Sequence, residues 1–126
     1  MLRLVLALVL SLVALPVLAQ DAPPPERVDA ARTALEAAGL PPEAVRNLWC
    51  AARFGMERDR LFAAAEYDAS DIPSRMRDRL YQAAALRLIA LEIAEADFIA
   101  LAEDVAILAA AGEPGPTLAE CSAPPG

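Results

Sequence analysis

The chain has 126 residues, a length that suits one domain, and its 11 basic and 18 acidic side chains give a net charge of −7. An acidic chain without an extended basic cluster is repelled by nucleic acid and by anionic lipid, so neither is an expected partner. The sequence contains no His and no Lys. That removes the usual general base, the commonest transition-metal ligand and Schiff-base chemistry, so no metal, no cofactor and no enzymatic activity is expected.

Residues 1–19 have the pattern of a cleaved export signal. Arg3 supplies a positive start, Leu4 to Leu15 is apolar apart from Ser11, and Val17 and Ala19 place small residues before a cut. The apolar stretch is shorter than the roughly 20 residues that span a bilayer, and Pro16 interrupts it, so an uncleaved anchor is not expected. Removal of 19 of the 126 residues leaves 107, and the loss of Arg3 leaves 10 basic against 18 acidic groups. The expected location is outside the cytoplasm, in the periplasm or the medium, with no membrane contact after cleavage.

A Pro-rich leader over 20–25 precedes a single helical domain over 26–126. The first helix is predicted over about 26–39, with Val28, Ala31 and Leu35 as its apolar stripe and Gly39 as its stop. The second is predicted over about 42–67, started by Pro42. It carries two stripes: Val45, Leu48, Trp49, Ala52 and Met56, and then Cys50, Phe54 and Leu61. Gly55 lies between its halves and predicts a bend or a close approach by another backbone.

Residues 74–111 contain neither Gly nor Pro and read as a long third helix. As one straight rod it would extend about 57 Å, far beyond the core of so small a domain. The polar patch Glu92–Asp97 is the place to expect a break. Projected on a helix, Leu86, Leu88, Ile89, Leu91 and Ile93 point in almost every direction. The centre of this segment is then either the core around which the rest packs, or half core and half interface. The candidate interaction surface is Leu86, Ile89, Ile93, Phe98 and Leu101. The tail, 112–126, is too short and Pro-rich to predict a further element. The fold expected is all-α: three to four helices, a long C-terminal helix and a disulfide-anchored tail.

Cys50 and Cys121 are the only cysteines, and an oxidising compartment makes a disulfide between them the natural reading. Closing a loop of about 72 residues is worth roughly 4 kcal/mol in the chain-entropy account. The bond would lay the tail along helix two, with Leu118 packing near Phe54 or Leu61.

Arg75, Arg77 and Arg79 cluster at the start of helix three, where cations oppose the helix dipole. Ion pairs to Glu57, Asp59, Glu66 and Asp68 of helix two are the ordinary explanation, and an anion site the sharper one. The carboxylates Glu92, Glu95, Asp97, Glu103 and Asp104 scatter around their helix, and a solvated face is expected for them. These readings predict an exported, non-enzymatic protein that works by contact with an unidentified protein or with a second copy of itself. An acid-responsive envelope chaperone is an alternative, and a toxin-immunity or inhibitor protein another.

Overall fold

The computed structural model describes residues 22–123, which form five helices and no strand. They are α1 (Pro25–Ala38), α2 (Pro42–Ala63), α3 (Asp71–Ala90), α4 (Glu95–Ala110) and α5 (Leu118–Ser122). The all-α class and the Cys50–Cys121 bond are as expected. The export segment and the start of the leader lie outside the described residues.

Pro25 and Pro42 each open a helix behind an extended proline, at positions where the missing N–H has no intrahelical partner. Gly39, at φ 58°, ends α1 in the left-handed conformation that glycine adopts without Cβ strain. The next two stops carry no glycine. After α2, Ala65 turns to φ 57°, and the amides of Ala65 and Glu66 donate to the carbonyls of Phe62 and Leu61. After α3, Glu92 turns to φ 61°, and the amides of Glu92 and Ile93 donate to Ile89 and Leu88. Gly112 repeats the motif after α4, with Glu113 donating to Leu108. All three are Schellman closures, and only the last uses the residue that normally announces one.

The second closure divides the expected long helix. Residues 74–111 are two helices meeting at a turn over 91–94, within reach of the polar patch that predicted the break. The first closure ends α2 at Ala63 rather than near Tyr67. The next helix begins at Asp71, not Ser74, because Pro73 is accommodated in its first turn, where no amide donor is required.

The centre of the fold is α2, not the third segment. Ala44, Leu48, Trp49, Cys50, Ala51, Ala52, Phe54 and Leu61 are all buried on it. The two apolar stripes of α2 join into a broad buried surface shared by α3, α4 and the tail, and of the stripe residues only Met56 is exposed. Meanwhile α4 packs on both α1 and α2, and α3 and α4 touch each other little. Leu48, Trp49 and Ala52 meet Ala31 from α1, Ala84 from α3, and Val105, Leu108 and Ala109 from α4. α2 runs unbroken through Gly55. Its neighbour is a side chain: a Cβ built there would stand 3.5 Å from Cδ of Arg77.

The tail forms an element after all. Thr117 accepts from the amide of Glu120, and the Glu120 carboxylate accepts from the amide of Thr117, a capping box that starts the short α5. The segment before it is a strap across α2. Arg53 Nε donates to the carbonyl of Pro116 at 3.0 Å, and Arg46 donates to that of Glu120 at 3.2 Å. Cys50 closes on Cys121. With Trp49 beneath Gly115, these contacts occupy positions 46, 49, 50 and 53, one face of a helix. Leu118 is half-buried within the strap.

Candidate functional site

Most of the predicted interaction residues gather at the elbow where α3 turns into α4. Leu86 is 70% exposed and Ile89 66%, while Leu91 and Ile99 are each 50% exposed. Ile93 and Phe98 are half-buried beside them. Leu101 does not belong to this surface. It faces inward at 9% exposure, on the side of α4 that carries Val105 and Leu108 into the core.

The turn builds the site. In this Schellman closure Leu88 accepts from the amide of Ile93, folding Ile93 back over the last turn of α3. Leu88, Ile89 and Ile93 then line a cleft of about 380 Å³ with Ala85, Phe98 and the carboxylate of Glu95. A second cleft, of about 320 Å³, continues past Phe98 between Tyr81, Ile99, Ala102, Glu103 and Ala106. The two form a groove between α3 and α4, apolar along its length, with Glu95 and Glu103 as its charged lining. It exists because α3 and α4 diverge from their turn to pack on different parts of the fold. Small side chains at Ala85, Ala102 and Ala106 leave the gap unfilled.

Helical projection could find the exposed residues but not their arrangement. Projecting Leu91 and Ile93 as helical assigns them faces they do not occupy. The apparent all-round apolarity is an effect of running one helix through a turn.

The arginine cluster is arranged differently from the expectation. Arg75 and Arg79 are exposed, and Arg77 is half-buried against Gly55 with its guanidinium on Asp78, the next residue in sequence. The acids of α2 pair within their own helix instead: Glu57 with Arg60, and Asp59 with Arg58. Among the described residues, no ion pair joins Arg75, Arg77 or Arg79 to helix two. The ties between elements lie elsewhere, from Arg32 of α1 to Glu113 of the strap, and at 4.0 Å from Arg87 of α3 to Glu43 of α2. The Arg60 guanidinium holds the Glu57 carboxyl below the usual range.

A larger cleft of about 600 Å³ lies on the opposite side, between α1, the start of α2 and the strap. Trp49, Leu35, Leu40, Val45 and Leu108 make it apolar. Three of its four charged groups are engaged, since Arg32 holds Glu113 and Asp29 and Arg46 reaches the carbonyl of Glu120, while Glu36 stands beside them. Trp49 Nε1 is buried without a hydrogen-bond partner, packed against Gly115.

Among the described residues, no group of three or more acidic or sulfur side chains is placed to hold a metal ion. None of the described helices is long and apolar enough to cross a membrane. Comparison with protein-family models gives no match, and no curated protein or solved structure is significantly similar to the chain.

Proposed function

We propose that this chain is an exported, non-enzymatic helical protein that works by binding protein through the α3–α4 elbow. One observation carries the reading: Leu86, Ile89, Leu91 and Ile99, large apolar side chains each at least half exposed, adjoin a groove already lined by Ile93 and Phe98. Scattered exposed leucines are ordinary, but a cluster around a preformed groove is the anatomy of a docking site. Export rests on the signal-like residues 1–19, and the Cys50–Cys121 bond is compatible with an oxidising compartment.

The test is site-specific photo-crosslinking in the native cell. A photoreactive residue replaces Ile89 in one strain and Arg60, exposed on α2, in another. A discrete protein adduct from position 89, absent from position 60, is the expected result. Position 89 yielding no adduct, or the same adducts as position 60, would end the reading.

A further inference from the structure

We infer that the occupant of the elbow is a second copy of this chain, with the two α3 helices laid antiparallel about a two-fold axis. The inference rests on the proposed function above and names the partner of that same site.

The first ground is register. Ile72, Arg75, Arg79, Gln82, Leu86 and Ile89 are all exposed. They recur at alternating steps of three and four residues, a register at which one helix can lie along another, with Ile72, Leu86 and Ile89 as its apolar ends and Arg75, Arg79 and Gln82 between them. This seam lies away from Pro73, Ala84 and Leu88, the positions that α3 buries. A face that met only solvent has no need of Ile72, Leu86 and Ile89, exposed at 69%, 70% and 66%. Ala83 and Ala90, small and exposed, flank the seam and allow close approach.

The second ground is charge. Within α3 stand four Arg and two Asp, and Arg75 and Arg79 occupy the seam itself. Residues 91–110 carry five acids and no base: Glu92, Glu95, Asp97, Glu103 and Asp104. Arg75 and Arg79 have no ion-pair partner on helix two, so their charge is available to the acidic elbow of a neighbour.

The third ground is that a two-fold axis brings these features together. With the axis between Gln82 and Ala83, Ile72 of one copy comes level with the turn that closes the other's α3, where Ile93 folds back. Arg75 comes level with Ala90, within a turn of Glu92, and the methylenes of Arg79 lie beside Leu86. Asp71 is the single acid at that end of α3, and Arg75 stands one turn from it. Each contact occurs twice, as an isologous interface requires.

The test is sedimentation equilibrium of the oxidised chain as the cell processes it, across about 1–100 μM, a range that brackets a micromolar association. The expected mass is that of two chains, with association weakening several-fold when salt is raised from about 50 to 500 mM. Ile89→Glu should give the single-chain mass at every concentration with an unchanged circular dichroism spectrum. Arg75→Glu and Glu92→Arg should each weaken association about tenfold, and the double variant should recover it. Circular dichroism of each variant, matching that of the parent, separates lost association from lost folding. A wild-type chain of single mass throughout, or a dimer that Ile89→Glu leaves intact, overturns the inference. If a single-mass wild type still crosslinks from position 89 to a different protein, self-pairing is overturned and the proposed function stands. If it crosslinks to nothing, both are overturned.

Discussion

Gly115 rests on the indole of Trp49 so closely that a Cβ there would overlap ring atoms Cε2, Cζ2 and Nε1. The glycine is required by proximity. Arg53 in turn places its guanidinium 5.7 Å from the ring centroid while its Nε donates to the carbonyl of Pro116. The strap and the only Trp of the chain are therefore one packed unit. Gly115→Ala is expected to destabilise the fold by about 1–3 kcal/mol, the usual range for overpacking. Chemical unfolding measures the loss, and a red-shifted Trp49 emission in the native state would show that the strap has lifted.

Loss of the Cys50–Cys121 bond should act on the same unit. The bond spans a sequence separation of 71 residues. Loop entropy of that size predicts that the Cys50→Ala, Cys121→Ala variant is less stable by about 4 kcal/mol, a large share of the stability of any small domain. Denaturant titration of the oxidised and variant proteins measures it. An effect under about 1 kcal/mol would mean that the hydrogen bonds of Arg46 and Arg53 hold the strap without the bond.

Two backbone positions should respond in opposite chemical directions to the same measurement. Gly55 lies inside α2, and a Cβ there meets only Cδ of Arg77, at 3.5 Å. Gly55→Ala should stabilise by about 0.5–1 kcal/mol, the difference in helix propensity. Ala65 has φ 57°, where a Cβ is strained, so Ala65→Gly should stabilise by about 0.5–1 kcal/mol once the greater freedom of unfolded glycine is deducted. Thermal unfolding of the two variants checks both signs.

Asp104 gives a pH dependence with an unusual sign. Burial and, secondarily, the neighbouring Glu103 push its carboxyl above the usual carboxylate range, and Arg27 offsets this only in part. The folded protein therefore holds that proton more tightly than the unfolded chain. Its contribution to stability is complete below the ordinary carboxylate pKa and is lost as pH rises through the raised one. Asp104→Asn should be more stable than the parent at pH 7, and the difference should disappear near pH 3. Unfolding midpoints at the two pH values test it.

The helices could be read from the sequence because Pro25, Pro42 and Gly39 mark boundaries by their backbone chemistry, which acts locally. Ala65 and Glu92 mark theirs without any such residue. The left-handed turn is imposed there by how the flanking helices pack, and no local pattern reports it. The same difference separates the two readings of the elbow. Ile89 and Phe98 were identifiable as apolar residues at the right spacing, and Leu101 was indistinguishable from them. Only the turn over 91–94 decides which of the three faces inward. The pairing of Cys50 with Cys121 was legible by elimination. The strap's hydrogen bonds to Arg46 and Arg53 were not, since nothing near an arginine says that its partner is a carbonyl more than sixty residues away.

Cys121 follows all four long helices, and its partner sits on the innermost of them. The ring that their bond closes runs from residue 50 to residue 121, so α3 and α4 lie wholly inside it while α1 lies outside. Without the bond, the tail is held by the hydrogen bonds of Arg46 and Arg53 and by the packing of Gly115 on Trp49. Reduction alone therefore unties α5 covalently from α2 without cutting the chain, turning a closed covalent ring into an open thread.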